Sequence, residues 1–378
     1  MSSAPDTARL TVAEIDLGAF RRNLRAIGRL LPEGSRLIAV LKADGYGHGA
    51  AALARECERE EVDLVAVALL EEALELREAG ISIPILILGP VPSERLADAL
   101  EAGSILGIVS LEGLRDVARA AAERPLAIHL KLDSGMGRMG LIEDDLDEAA
   151  RTIASVPGLR VAALYTHFAN ASDPDDPFTG EQLARFDRMV TRLAGQGVEA
   201  PLHHAANSAA TMRRLVRAGD FVRVGLSLYG CEPLDQGSSR LDPVLRWKSG
   251  IVRLKTLPPG SAVGYGTTFR TTRTSRIATL PVGYADGYNR LLSNNGFVLV
   301  HGRRAPVVGR VSMDLVTIDV TDIPEAAFGD EVILLGRQGG EEIAAEEIAE
   351  RTRTIPYEVL TSIGARVPRL VIESGPRS

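Results

Sequence analysis

Between residues 36 and 225 the chain repeats one pattern, a short β-branched or leucine-rich run followed by a longer amphipathic stretch rich in Ala, Glu, Arg and Leu. Short apolar runs without polar alternation suit strands buried on both faces, and the stretches between them supply the crossovers that parallel strands need. The runs are Arg36 to Leu41, Asp63 to Val67, Ile85 to Leu88, Ile105 to Val109, Leu126 to Lys131, Arg160 to Tyr165, Pro201 to Ala205 and Phe221 to Val224, with helices expected at stretches such as Leu69 to Ala79 and Gly180 to Ala194. Eight strands in so short a span fit a (β/α)8 TIM-type barrel better than an open doubly wound sheet, in which about six strands are usual.

After about Gly230 the texture changes to Thr, Val, Gly and Pro in short alternating segments, which reads as a second, mostly β domain. Its strands are expected at Trp247 to Thr256, Arg276 to Leu280, Gly296 to His301, Ala305 to Val308, Leu315 to Val320 and Glu331 to Leu335, with turns at Pro258-Pro259-Gly260, Asn294-Asn295-Gly296 and Gly339-Gly340 and a helix near Glu341 to Arg351. The extended segment Arg9 to Asp16 comes too early to be a barrel strand and is assigned to this β domain. The expected division is therefore residues 1–16 with the C-terminal domain, 17–235 as barrel and 236–378 as β domain, with Cys231 to Ser239 as the linker.

Composition narrows the classes of function. A net charge of −7, with 43 basic and 50 acidic residues interspersed, offers neither a nucleic-acid surface nor a polybasic membrane anchor. The first residues lack the apolar core of a secretion signal and no stretch reaches the length of a membrane span, so a cytoplasmic protein is expected. Two cysteines, Cys57 and Cys231, build neither a disulfide framework nor a zinc site and fit a reducing compartment.

In a barrel of this kind the functional face lies where strands end and the following loops begin. Lys42 and Tyr46 follow the first strand, beside Gly45, Gly47 and Gly49, which let the backbone approach a ligand. Arg138 lies in the turn Asp133-Ser134-Gly135-Met136-Gly137-Arg138-Met139-Gly140 after the fifth strand, His167 follows the sixth, Asn207 and Ser208 the seventh, and Arg223 and Gly225 mark the eighth. Each has an ordinary alternative: a lysine reaches water from a strand end, Asn207-Ser208 caps a helix, an arginine in a turn is a surface residue, and a lone histidine is structural. Convergence of all of them on one face favours a site. A reactive lysine, an N-cap and a glycine that suit a phosphate, and aromatic hydroxyls together equip a chain for pyridoxal phosphate. His129, His167, His203 and His204 form no HxH or HExxH element, so no metal is expected.

The segments AVLKADGYGHG, KLDSGMGRMG, THFANASD, HHAANSAA, RVGLSLYG, VGYGTTF, PVGYADGYNR, GRVSMD and IPYEVLTSIGARVPR, in this order and across nearly the whole chain, resemble the alanine racemases. That family interconverts L- and D-alanine on pyridoxal 5'-phosphate by a two-base mechanism on the external aldimine, supplying D-alanine for peptidoglycan. The basic amino-acid decarboxylases share the fold but not the VGYG and RVSMD segments together, and a racemase of wider specificity, acting on serine for example, is the alternative reading.

The resemblance implies roles residue by residue. Lys42 matches the lysine that binds the cofactor covalently and is the base for D-alanine. Tyr265 matches the base for L-alanine, contributed by the other subunit of a homodimer. Tyr46, Ser208, Gly225 and Tyr357 match phosphate contacts, with Asn207 beside them, His167 the histidine at the cofactor ring, and Arg223 the arginine on the pyridine nitrogen. Arg138 and the backbone of Met313 match substrate-carboxylate contacts, and Tyr284, Arg290, Arg310 and Asp314 lie in segments lining the entrance. Lys131 matches a lysine carbamylated in some members, where it holds the equivalent of Arg138. The resemblance also links Tyr265 through His167 to Arg223 and His204. A tyrosine hydroxyl in water titrates near about 10, so a base role calls for such cationic neighbours. Ser134, Ser312 and the His203-His204 doublet depart from the commonest family pattern.

Overall fold

The computed structural model describes residues 9–122, 124–233 and 241–375. The chain divides into two compact units. One gathers Arg21–Gly45 and Ala50–Leu241; the other takes the segment up to Phe20, Tyr46–Gly49 and the chain from Asp242 onward. The expected boundary at 235/236 and most of the linker Cys231 to Ser239 lie outside the described residues, as do the first eight residues of the segment 1–16.

In chain order the strands begin with β1 (Val12–Asp16), followed by β2 (Arg36–Val40), β3 (Leu64–Val67), β4 (Ile85–Ile87), β5 (Ser104–Ile108), β6 (Leu126–Lys131), β7 (Leu159–Tyr165), β8 (Leu202–His204) and β9 (Phe221–Val224). Strands β2 to β9 form one parallel sheet in the order β8-β7-β6-β5-β4-β3-β2-β9. β3, β4 and β9 are buried at every residue, as strands covered on both faces must be. β2 pairs with both β3 and β9, which curls the sheet round. The seam between β8 and β9 has no ladder but is joined where the Arg223 N–H donates to the Ala206 carbonyl (2.9 Å). The result is the nearly closed eight-stranded barrel expected from the repeat.

The helices are α1 (Leu17–Gly28), α2 (Lys42–Gly47), α3 (Ala50–Arg59), α4 (Leu70–Glu78), α5 (Leu96–Glu101), α6 (Leu111–Ala121), α7 (Leu146–Ala154), α8 (Phe178–Ala194) and α9 (Ser208–Met212), then α10 (Ala345–Thr352) and α11 (Pro356–Thr361). Helix α6 shows how they attach: Leu114, Val117, Ala118 and Ala121 are buried on one stripe, and Ser110 caps the start by accepting from the Gly113 N–H (3.1 Å).

The other unit is mostly β. Its strands are β1, β10 (Leu245–Gly250), β11 (Arg253–Leu257), β12 (Ala262–Val263), β13 (Phe269–Arg270), β14 (Ser275–Leu280), β15 (Phe297–Val300), β16 (Arg303–Pro306), β17 (Val316–Asp319), β18 (Glu331–Gln338), β19 (Glu341–Ile343) and β20 (Arg369–Ile372). The main sheet runs β16-β15-β18-β10-β1-β20, and β11-β14-β17 make a second sheet. β1 lies antiparallel to β10 and parallel to β20.

Three expectations need correcting. The single strand expected over Trp247 to Thr256 is two strands in different sheets. At Ile251 the N–H turns to the Asp330 carbonyl (3.0 Å) and at Val252 to Thr279 (2.9 Å), so the chain leaves one sheet for the other. The helix expected from Glu341 starts at Ala345, because Gly339 (φ +62°) folds β19 back onto β18. The strand expected at Ala305 to Val308 sits earlier, as β16, in register with β15 from Val300↔Arg303 to Phe297↔Pro306.

Candidate active site

Strand register assembles the barrel's polar residues. Lys131 is the cross-strand partner of Tyr165, and Tyr165 of His204, so three consecutive strands present these side chains in one row. On the far side of the seam Arg223 pairs with Ile38 in β2, the strand that ends just before Lys42. Residues distant in sequence thus meet at one end of the barrel.

Arg223 is the hub. It is buried, and its Nη1 donates to His204 Nδ1 (2.8 Å) while Nη2 donates to the Thr166 carbonyl (2.6 Å), to the Ala205 carbonyl (3.3 Å) and to His167 Nδ1 (3.2 Å). A guanidinium only donates, so these bonds decide the tautomers of the neighbouring rings. His204 accepts at Nδ1, carries its proton on Nε2, and donates it to His129 Nδ1 (3.0 Å). His167 likewise accepts at Nδ1 and holds an N–H at Nε2. Burial, reinforced by the charge of Arg223, pushes His204 and His167 well below the usual histidine range and His129 down to about 4, so all three rings stay neutral. Burial also lowers Arg223 to about 10, which leaves it cationic at neutral pH. Tyr165 stacks on His204 at 4.5 Å between ring centroids, and the guanidinium of Arg223 lies over the tyrosine face (5.4 Å).

The loop after β6 carries Arg138. Its frame is Asp133, whose Oδ1 accepts from the N–H groups of Gly135 (2.9 Å) and Gly137 (3.1 Å) and whose Oδ2 accepts from Arg138 (3.1 Å). Burial works against the carboxylate, but these N–H donors hold Asp133 below its usual range. Ser134 Oγ and Thr166 Oγ1 share a buried hydrogen bond (2.8 Å).

Lys42 follows β2 and opens α2, which winds the wrong way for L-residues. Ala43, Asp44, Gly45, Tyr46 and Gly47 have φ of +52°, +51°, +62°, +54° and +79°, and the Gly45 N–H closes the turn on the Leu41 carbonyl (2.8 Å). At about 1–2 kcal/mol for each of the three side-chain-bearing residues, roughly 3–6 kcal/mol of strain is held next to Lys42. Burial and then Arg138 lower the Lys42 amine, with Glu72 opposing, so more of it is the unprotonated nucleophile than in an exposed lysine. Burial first, then Arg223 and Arg138, bring Lys131 down to about 8.

Beyond β8, Asn207 caps α9 by accepting from the Ala210 N–H (3.0 Å), as its N-cap pattern predicts, although the helix has only five residues. Ser208 Oγ accepts from the Gly225 N–H (3.0 Å). The donor set fits pyridoxal phosphate: a lysine amine lowered by burial for its aldehyde, a buried cation for its ring nitrogen, and a serine hydroxyl and glycine backbone for its phosphate.

The remaining candidates lie in the mostly β unit. Tyr46 is buried with 6% exposure, its ring 5.7 Å from that of Tyr357, and burial raises its hydroxyl so that it remains a donor. Tyr265 stands between Gly264 (φ +74°) and Gly266 (φ +70°) and is 73% exposed. The positive φ favours glycine at position 266, where a Cβ would also press on the Arg310 guanidinium carbon at 3.2 Å. The Met313 carbonyl accepts from the Ala285 N–H and the Ser312 carbonyl from Tyr284, each at 3.0 Å, while Asp314 accepts from Arg366 (2.8 Å) and the Arg290 carbonyl from Ser293 Oγ (2.5 Å).

Four contributors escaped the sequence reading: Tyr165, Asp133 and Glu72, and His129, considered there only as a metal ligand. Strand periodicity points to one of them, since His129 and Lys131 are two residues apart in β6 and share a face, and Tyr165 closes β7 two residues before His167. Nothing in the sequence marks Glu72.

Comparison with known proteins agrees with this arrangement. Residues 15–233 match the family model described as alanine racemase, N-terminal domain, and residues 244–371 its C-terminal domain. The chain is 42% identical to the alanine racemase of Halothermothrix orenii over 96% of each chain, and 44% identical to that of Sorangium cellulosum over 97% of this chain and all of that one. Among solved structures, the alanine racemase of Bacillus anthracis with bound L-Ala-P superposes with a TM-score of 0.91 at 36% identity, covering 98% and 97% of the two chains. That of Bartonella henselae, with covalently bound pyridoxal phosphate, gives 0.86 at 28% identity over 96% and 99%. With a barrel of matching topology and matches running through both domains, the chain belongs to the alanine racemase family.

Proposed function

We propose that the chain racemises alanine with the residues assigned above, Lys42 and Tyr265 acting as bases on opposite faces of the substrate. The observation that carries the reading is the barrel's convergence of Lys42, Lys131, Arg138, His167 and Arg223, a basic, partly desolvated group suited to a phosphate and an amino-acid carboxylate. When bound, pyridoxal phosphate supplies an electron sink that acidifies the Cα–H of the attached amino acid.

The chain's own groups do the rest. Lys42 Nζ would hold the cofactor, and the same amine takes or returns the Cα proton on the face that D-alanine presents. Tyr265 Oη does so on the face that L-alanine presents. His167 Nε2–H, its tautomer fixed by Arg223, donates to the tyrosine oxygen and favours the phenolate. Both Nη atoms of Arg223 are committed to protein acceptors, which leaves its Nε–H as the group that would hold the cofactor's ring nitrogen; a fixed cation there would disfavour protonation and limit side reactions such as transamination. Arg138 and the Met313 N–H take the substrate carboxylate, with Lys131, as a carbamate, bracing Arg138. Ser208, Gly225, Asn207, Tyr46 and Tyr357 serve the phosphate. His204 relays the position of Arg223, and Tyr284, Arg290, Arg310 and Asp314 border the entrance.

The working unit is a homodimer in which Tyr265 serves the partner's barrel; its 73% exposure in a single chain suits a ring that is covered only on association. The domain division is residues 1–16 with 236–378, and 17–235. No described helix is long and apolar enough to cross a membrane, and we place the protein in the cytoplasm, making D-alanine for peptidoglycan. The names of the relatives favour alanine over a wider range that includes serine.

Borohydride reduction followed by peptide mapping should fix the cofactor on Lys42, and Tyr265→Phe should cut L-to-D turnover by about 100-fold or more. Preserved turnover in that variant would end the two-base assignment. Mixing inactive Lys42→Ala and Tyr265→Phe subunits should restore activity, since one of the two sites then has both bases; no recovery after subunit exchange would count against shared sites.

A further inference from the structure

We propose that Glu72 is the positioning residue of Lys42, its carboxylate clamping the backbone of Ala43 to the start of α4 and so holding the left-handed turn that aims the amine. The inference rests on Lys42 being the cofactor lysine. Glu72 Oε1 accepts from the Ala43 N–H (2.5 Å), while Oε2 accepts from Ala68 (2.7 Å) and Leu69 (3.0 Å). One carboxylate thus ties the peptide after the lysine to Ala68 and Leu69, the two residues that lead from β3 into α4.

The turn needs such a tie. Gly45 and Gly47 adopt positive φ without penalty, but Ala43 and Asp44 do not, and an alanine left alone returns to the right-handed region. Asp44 is fixed from the other side, its Oδ1 accepting from the Ala50 N–H (2.7 Å). Ala43 has no side-chain anchor of its own, so Glu72 supplies it. A carboxylate suits the task because it accepts in every direction and three N–H groups must be met; an amide would turn its own NH2 toward one of them. If Ala43 swung to negative φ, the backbone leaving Lys42 would be redirected, and with it the reach of Nζ. The charges acting on Lys42 are those of Glu72, Arg138, Lys131 and, when protonated, His167. Glu72 is the anion among them, a second way for it to tune the amine.

A strain-relief experiment separates positioning from simple capping of α4. Glu72→Ala, Glu72→Gln, Ala43→Gly and the double variant Glu72→Ala/Ala43→Gly are prepared as full-length holoenzymes. For each, kcat and KM for L-alanine, the pH midpoint of the absorbance of the lysine-bound cofactor, and Tm are measured. Glu72→Ala should lower kcat about 10- to 100-fold with little change in KM, as a displaced reacting group does. Glu72→Gln should fall between it and the parent. Adding Ala43→Gly should recover about tenfold of the loss, because glycine takes the left-handed conformation without the penalty of one alanine. It should not recover the pH midpoint, since the carboxylate's charge is still missing. The proposal is overturned if Glu72→Ala keeps the parent kcat, or if its kcat loss follows Tm and Ala43→Gly rescues neither. Peptide mapping of the parent keeps the underlying reading separate: cofactor on a lysine other than Lys42 overturns that assignment, whereas cofactor on Lys42 with an unaffected Glu72→Ala overturns the clamp alone.

Discussion

Removing the carboxylate of Asp133 should open the loop that presents Arg138 and weaken the grip on substrate more than it slows chemistry. Three backbone N–H groups end on this side chain, those of Gly135 (2.9 Å), Gly137 (3.1 Å) and Arg138 (3.1 Å). Hydrogen bonds to an ion each contribute about 1.5–3 kcal/mol, but the released donors can turn to water, so Asp133→Ala should cost roughly 2–4 kcal/mol rather than the full sum. Asp133→Asn keeps an oxygen for the Gly135 and Gly137 donors that share Oδ1 and loses the Arg138 bond, for roughly 1–2 kcal/mol. In the Ala variant Arg138 loses its fixed backbone, and a displacement of about 1 Å at the group proposed to hold the substrate should lower kcat/KM by about 10- to 100-fold. Steady-state kinetics with L-alanine, together with urea melts, test the ranking. KM should rise in the order parent, Asn, Ala, with a smaller fall in kcat and with parallel losses of stability. A parent-like KM in Asp133→Ala would refute the loop as the device that places Arg138. Acid gives a second check: the folded-state carboxyl is held low, so its contribution is complete above the unfolded value of about 3.9 and is lost as pH falls through the folded value.

Gly107→Ala should destabilise the barrel by about 1–3 kcal/mol in denaturant melts, because the added Cβ would stand 2.6 Å from the Ile87 carbonyl and 2.8 Å from the Tyr165 hydroxyl; an unchanged midpoint would mean that this wall can give way. In its free-amine form Lys131 is brought down by burial to about 8 when folded, against about 10.4 when unfolded, so between these values the unfolded chain binds the extra proton and stability of that form should rise with pH. Lys131→Met should flatten that rise. In the parent, 13C-labelled bicarbonate should give a carbamate resonance that the same variant lacks, and its absence from the parent would leave Lys131 a free amine.

The eight barrel strands were legible because strands buried on both faces need unbroken apolar runs, and such runs stand out between amphipathic stretches. All eight lie within two residues of their expected bounds. The β unit was harder to read. Whether Leu245–Leu257 makes one strand or two depends on where Asp330 and Thr279 offer carbonyls, which no local pattern encodes. The two-residue strands β12 and β13 and the late strand β20 are likewise defined by their partners. In the site, Lys42, His167 and Ser208 could be picked out as polar residues just beyond apolar runs, Arg138 in the glycine-rich turn that follows one, and Arg223 near the end of the last run. Their coupling could not: His129, His204 and Arg223 come from three strands, and only barrel closure brings the guanidinium against one ring and that ring against the next.

The order of apolar runs and the loop motifs were enough to determine a barrel followed by a β domain, and with them the family, because these depend on which residues must be buried and which follow a strand. The protonation pattern was decided only by the tertiary structure. Three histidines are neutral because burial, reinforced by Arg223, lowers them, and each has a defined tautomer because that arginine can only donate. The handedness of the turn after Lys42 was decided there too. Glycines permit it, but Ala43 adopts it beside a carboxylate that arrives from α4, 29 residues further along the chain.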